Sequence, residues 1–427
     1  MNRLLLLAPR IATNRLWARA GEVPSFHIAP ARTGNARDLI TGSVLGTYNS
    51  ASPAWAVGPD GVLFQPAANA PVVDYDPTTL ACLGARIREA VTNLFTYSST
   101  FTDSVWSKTN VTITANSATS PAGTTDASLV VPSTSGNLTR RITQAYSTST
   151  PGTYTFSIYV NKNTVSTSNI ALRIVNQADT SDVRSNWSTS TFEFGTVNTT
   201  GGWTGSTSVQ ALPNGWFRLS ISATTTASSH TALLCQFWPG GYTSTPNTIG
   251  SPLVWGAQFQ AGTLGPYVPT TTLAASSTAD VWDLTSLTAG INNLKTLYFR
   301  GRTAASGTRG IASLNDNTAN NRLELSTSGT TAKATAATSG SAVADLSGGT
   351  IASNTTFRLA ARFDADSYAL SLNGGAVTTD TSGARALVDR LFIGRDQAGN
   401  YMNGYIEEMA GWTRACTDAQ VAALAAS

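Results

Sequence analysis

Most of this chain obeys a period of two. Tyr154 to Val160, Ile170 to Val175, Trp216 to Ser222 and Leu233 to Trp238 set β-branched and aromatic residues at alternate positions. Clusters of Gly, Pro, Asn and Ser interrupt the pattern every ten or so residues. Successive side chains of a strand point to opposite faces, so each segment buries one face. Short strands at this spacing build a sandwich or barrel. Helical periodicity is scarce. Thr417 to Ala426 is the clear candidate: Thr417 can cap, Ala and Leu propagate, and Val421 and Leu424 share a face. Gly84 to Val91 is a weaker one. With no medium-length repeat, heptad run or Gly-X-Y run, a solenoid, propeller, coiled coil or collagen shaft is excluded. The fold class is all-β.

Composition removes several functions. Only 12 % of the 427 residues are charged, and the net charge is +3. A nucleic-acid binder concentrates basic charge on one face, so no nucleic-acid partner is expected. Hydrophobic residues at 41 %, with 10 Trp, 12 Tyr and 14 Phe, supply real cores. Three widely spaced cysteines, Cys82, Cys235 and Cys416, argue against a disulfide framework and a zinc site. Two histidines, His27 and His230, leave little for a Ser-His-Asp triad. No apolar run reaches the roughly 18 residues of a membrane span, so membrane insertion is not expected. The Leu4–Leu7 block is shorter than a signal-peptide core, and the expectation is a soluble product of a reducing cytoplasm. No cofactor and no metal are assigned.

Composition divides the chain into an irregular, Pro-bearing segment 1–92, a Ser/Thr/Trp-rich strand block 93–270, a linker-like stretch over 270–280, and a second strand block 281–427. The first segment contains Asp60-Gly61, Ala67-Ala-Asn-Ala-Pro71, Asp74-Tyr-Asp-Pro77, Leu83-Gly84, Arg86-Ile-Arg-Glu-Ala90 and Thr92-Asn-Leu94. In this order they resemble a module of bacteriophage tail-fibre and tail-associated proteins. Val72 and Arg88 depart from its usual Arg and acidic residue. The next block reads Asn93-Leu-Phe-Thr-Tyr-Ser98, Phe101, Trp106-Ser-Lys108, Pro121 to Thr125, Gly215-Trp-Phe-Arg218, Trp255-Gly-Ala-Gln-Phe259 and Pro266 to Thr270. It resembles the jelly-roll, carbohydrate-binding-like domain that follows that module. In the last block Phe357 to Asp364, Tyr368 to Gly374, Leu391 to Arg395 and Asn403 to Met409 resemble a concanavalin-like or laminin-G-like sandwich. The implied architecture is two tandem antiparallel sandwiches after an N-terminal virion-attachment segment, with a short C-terminal helix.

The candidate site residues are aromatic. A flat indole stacks on the C–H face of a sugar, whereas a core Trp fills space. Trp216 and Trp255 lie in strand alternation and read as core. Trp203, in Thr200-Gly-Gly-Trp-Thr-Gly205, and Trp238 with Tyr242, around Pro239-Gly-Gly241, fall on loops and are the glycan-binding candidates. A glycosidase needs two facing carboxylates. The adjacent pair Glu407-Glu408 should point to opposite faces of a strand. No catalytic residue is assigned and no enzyme is expected. Asn315 to Asn321 has oxygen ligands suited to calcium, but turn chemistry explains it equally. Arg3, Arg10, Arg15 and Arg19, interleaved with apolar residues, form either a docking arm or the lead into the first domain.

The resemblances imply a bacteriophage virion structural protein, a fibre or appendage. It would attach to other virion proteins through residues 1–92 and present its sandwiches to a host-surface glycan or receptor, as a homotrimer located in the virion. A capsid head fibre or decoration protein and a glycan-degrading tailspike enzyme are the alternatives.

Overall fold

The computed structural model describes residues 15–133, 139–162, 169–225, 232–242, 250–304 and 307–426. Antiparallel β-structure dominates, as the alternation predicts. The four strands expected from period two form at Gly152–Asn161, Asn169–Asn176, Trp216–Thr225 and Leu233–Trp238.

The central sandwich has two six-stranded sheets. One runs in the order Thr204–Ala211, Trp216–Thr225, Gly152–Asn161, Leu253–Ala261, Ala127–Pro132, Val111–Ala118. The other runs Asn198–Thr199, Asp182–Ser188, Asn169–Asn176, Leu233–Trp238, Arg141–Tyr146, Ser107–Thr109. Phe156, Ile158, Leu219 and Phe259 of the first meet Ile142, Leu172, Ile174 and Phe237 of the second in one hydrophobic core.

The other sandwich packs an eight-stranded sheet on a seven-stranded one. Its Phe357–Asp364 and Ser367–Leu372 strands form the expected hairpin. The second strand ends at Asn373 and Gly374, both at positive φ, the geometry of a tight reversal. Thr417 caps the final helix, Asp418–Ala425, with Gln420 closing a reciprocal capping box, and Val421 and Leu424 are buried.

Residues 15–92, the described part of the first segment, do not stand apart from the rest of the fold. Phe26–Ile28 and Cys82–Ile87 both pair with Gly404–Trp412. Val73–Tyr75 pairs with Cys82–Ile87, and Thr47–Asn49 pairs with Val281–Leu284. Phe26, Ile28, Tyr48, Ala85 and Ile87 lie in the same core as Leu297, Leu359 and Ile406. The second sandwich is therefore discontinuous in sequence, and the central one is inserted into it. The linker-like stretch is tied down as well: Ala275–Ser276 pairs with Thr92–Asn93, and Asp280 is buried.

Where the sequence suggests a helix over Gly84 to Val91, the structure has the strand Cys82–Ile87 followed by residues 88–91 without regular structure. Gly84 sits at φ +111°, and a Cβ there would lie 2.2 Å from the Ile406 carbonyl oxygen. Close backbone pairing with Gly404–Trp412 overrides local propensity. The strand also carries Arg86, 1 % exposed, which donates to the carbonyls of Ala54 and Trp55 at 2.7 Å and lies 3.8 Å from Asp74 and 3.5 Å from Asp280. Burial pushes the Asp280 carboxyl above the usual range despite Arg86. This buried charge group links the N-terminal strands to the stretch that follows the central sandwich.

Of the N-terminal arm, Arg3, Arg10, Leu4–Leu7 and Ile11 lie outside the described residues. Its described part is a helix, Arg15–Ala20, with Leu16 and Ala20 in one cluster with Trp412, Val421 and Leu424.

Candidate functional site

Parity builds the site. On Asn169–Asn176, Ile170, Leu172 and Ile174 turn into the core, so Arg173 turns out. On Asp182–Ser188, Val183 and Trp187 turn in, leaving Asp182, Arg184 and Asn186 on the outer face. Leu233, Cys235 and Phe237 turn in, leaving Gln236 and Trp238; Ile142 turns in, leaving Arg141 and Thr143. Register aligns these residues across the sheet. Thr143 faces Gln236, Gln236 faces Arg173, Arg173 faces Arg184, and Arg184 faces Asn198. In the next row Ala171 lies between Trp238 and Asn186.

Tyr242 arrives from the turn after Trp238. Gly241 adopts φ +76°, and a Cβ there would lie 3.0 Å from Asn169 Cβ, so the turn requires glycine. The Tyr242 N–H donates to Asn186 Oδ1 at 2.7 Å. Its ring meets Trp238 edge-on at 4.9 Å between centroids. The guanidinium carbons of Arg173 and Arg184 lie 5.2 and 5.0 Å from the Tyr242 centroid, and that of Arg141 lies 5.4 Å from Trp238.

The arginines differ in their partners. Asp182 accepts from Arg173 at 2.5 Å, from Arg184 at 2.6 and 2.8 Å, and from the Thr200 hydroxyl. Burial pushes the Asp182 carboxyl up, but the hydrogen bonds from Arg184, Arg173 and Thr200 outweigh it and hold the group below the usual carboxylate range. Among the described residues Arg141 has no carboxylate partner. Burial, and then the neighbouring Arg173 charge, makes its guanidinium easier to deprotonate than usual. Arginine nevertheless stays a cation in proteins. A pocket of about 220 Å³ opens beside the cluster, lined by Arg184, Ser185, Asn186, Asn198 and Tyr242. That is below the roughly 300–1,000 Å³ of a small-molecule site, so it suits one group of a larger ligand.

The structure brings two of the three glycan-binding candidates together and sends the third elsewhere. Trp203 is 4 % exposed and belongs to the central core. Gly201 and Gly202, at φ +65° and +75°, make the turn that precedes it. Its ring is not available for stacking. Trp238 is only 8 % exposed, and its indole N–H donates to Gln236. It backs Arg141 rather than offering an open platform, while half-buried Tyr242 is the more accessible ring. Sequence reasoning missed Arg141, Arg173 and Arg184. Parity within each strand marks Arg173 as outward, but the register that gathers all three is a property of the fold.

Trp216 and Trp255 are buried, but in a second place. With Tyr159 and Tyr267 they cover the outside of the other central sheet, where Trp55, Val57 and Leu63 pack onto them. A larger cleft of about 960 Å³, between the two sandwiches, is lined in part by Tyr75, Arg88, Tyr159, Arg218 and Tyr405. Its cations are committed: Arg88 donates to the Asn403 carbonyl, and Arg218 donates to Ser157 and Gly265.

Glu407 and Glu408 do not alternate as expected. The register shifts there, with Arg300 opposite Glu408 and Gly301 opposite Ile406, so Glu407 is the extra residue of a β-bulge. Both carboxylates then serve structural pairs. Glu407 binds Arg300, Arg302 and the Thr356 hydroxyl, and Glu408 lies 2.7 Å from the His27 ring. In the Asn315–Asn321 loop, Asp316 accepts from Thr318 and Asn321, which is turn chemistry.

Residues 293–422 match the concanavalin A-like lectin/glucanases superfamily. Among solved structures, the chain is similar to the CBM40 of an IT-sialidase from Ruminococcus gnavus bound to α2,3-sialyllactose. The identity is 16 %, covering 31 % of this chain and 82 % of that one, with a TM-score of 0.27. It is also similar to domains LG4-5 of the mouse laminin α1 chain, at 9 % identity, 59 % and 79 % coverage and a TM-score of 0.22. No curated protein matches the chain.

Proposed function

We propose that this chain is a glycan-binding structural protein, using the outer face around Tyr242, Trp238 and Arg141 to hold a sugar. The observation that carries this is the Trp238–Tyr242 pair framed by three guanidinium groups beside a shallow pocket. Aromatic faces and planar arginine forks suit a sugar, which offers C–H faces and paired hydroxyls. The superfamily match over residues 293–422 supports a lectin-like second sandwich.

The finer reading is a bacteriophage fibre or appendage that presents this face to a host-surface glycan. It rests on the resemblance of residues 60–94 and 93–270 to phage tail modules. In this reading the chain assembles as a homotrimer, contacts other virion proteins through residues 1–92 and resides in the virion. Since residues 26–87 contribute strands to the second sandwich, the described part of that segment would make the contact with the surface of a folded domain.

The test is binding of the purified chain to an array of bacterial surface glycans, with Tyr242→Ala beside it. Binding that Tyr242→Ala weakens about ten-fold, without a lower melting temperature, supports the reading. Binding unchanged in the variant, or no binding, refutes this site. Electron microscopy of virions labelled with an antibody to residues 281–427 tests the location. Label on the tail supports host recognition, and label over the capsid replaces it with the head-fibre reading.

A further inference from the structure

The cluster carries a charge imbalance that glycan binding alone does not require. Arg141, Arg173 and Arg184 converge on one face, and Asp182 is the carboxylate among them. Asp182 engages both Arg173 and Arg184, so those two are held in place as a fixed pair. Arg141 is left over. Its guanidinium is half-buried against the Trp238 ring, and among the described residues it has no anion to meet. The cluster thus carries an excess of two positive charges in a chain whose total is +3.

An arginine on an open sheet face ordinarily extends into water. Here Trp238 backs it, and Trp238 is itself fixed by its hydrogen bond to Gln236 and its edge contact with Tyr242. A half-buried cation held against a fixed ring, with no anion among the described residues to meet, is a preorganised half of an ion pair. Arginine presents two parallel N–H donors, which fit the two oxygens of a carboxylate or sulfate.

We propose that the site selects a negatively charged sugar residue, with Arg141 as the residue that pairs with its anionic group and Trp238 as the residue that positions Arg141. This rests on the glycan-binding reading above and narrows it to a ligand class. Carboxylate and sulfate share the chemistry, so the test separates them.

The experiment uses the full chain and three kinds of probe: oligosaccharides with a sialic or uronic acid, their carboxyl-reduced forms, and sulfated counterparts of the same backbones. The expected result is binding of an acidic form at least about ten-fold tighter than its neutral form, since a charge-assisted hydrogen bond contributes that much or more. The preference should shrink as salt rises from 50 to 500 mM, by roughly the screening of a partly exposed pair. Preference for the carboxylated or for the sulfated probe names the group. Arg141→Gln should abolish the preference while leaving weak neutral binding, and Arg141→Lys should restore part of it. Equal binding of acidic and neutral forms overturns the charge claim and leaves the glycan reading standing. Binding of no form overturns both. The comparison of probes on the unaltered chain needs no variant, so a folding defect in Arg141→Gln cannot rescue the claim.

Discussion

The two outer faces of the central sandwich are made from the same materials and end differently. Both carry aromatics and arginines at alternate positions. One face, with Tyr159, Trp216, Trp255 and Tyr267, is covered by Trp55, Val57 and Leu63 from the N-terminal part of the chain. Trp55 packs against Trp255 at 5.7 Å and Tyr267 at 5.8 Å. Its arginine, Arg218, is buried and spent on Ser157 and Gly265. The other face has no such cover among the described residues, and its arginines surround Tyr242. An aromatic residue on a sandwich surface is therefore core or site according to which remote segment lies over it. The covered face is packed under N-terminal residues, and the open one is the face proposed to hold a ligand.

The largest expected effects break the covered face. Trp255→Ala should lower stability by about 3–5 kcal/mol, because a fully buried indole leaves a cavity; urea denaturation measures it. Arg86→Ala should cost a similar ~3–5 kcal/mol, because Asp74 and Asp280 would stay buried without their cation. Trp203→Ala belongs with these and not with the site: it should destabilise by about 3–5 kcal/mol. A Trp203→Ala protein with unchanged unfolding and impaired glycan binding would return that residue to the surface.

The open face should respond differently. Trp238→Ala should reduce glycan binding about ten-fold by releasing Arg141, and cost stability less than Trp255→Ala does, as paired calorimetry and denaturation would show. The smallest effect is on pH. The folded Asp182 carboxyl lies below its unfolded value of about 3.9, so its contribution is complete above that pH. It is lost as pH falls through the lower, folded value. Asp182→Asn should lower stability near neutrality, where the carboxylate still holds Arg173 and Arg184, and its difference from the unaltered chain should shrink as pH falls below about 4, as urea denaturation at a series of pH values would show.

Much of the fold was legible because it is local. Alternation located the strands at Gly152–Asn161, Asn169–Asn176, Trp216–Thr225 and Leu233–Trp238, and Thr417 marked the start of the last helix. What sequence hid was long-range. Phe26–Ile28 and Thr47–Asn49 are three residues each, too short to show a period, and their partners lie hundreds of residues away. Cys82–Ile87 lacks alternation because it is nearly buried on both faces. Trp203 does lie on the loop that its two preceding glycines mark, but its ring is buried in the central core. At the candidate site, Tyr242 lies on the expected turn, whereas Trp238, expected on a loop, ends the Leu233–Trp238 strand and is buried. The arginines were not legible, since three strands must come into register before they meet.

The most direct measurement is hydrogen–deuterium exchange of the full chain with and without a glycan that it binds. Added protection is expected in Arg141–Tyr146, Asn169–Asn176, Asp182–Ser188 and around Tyr242, with Trp216–Thr225 and Leu253–Ala261 unchanged. Protection confined to the cleft between the sandwiches, around Tyr75, Arg88 and Tyr405, would contradict it.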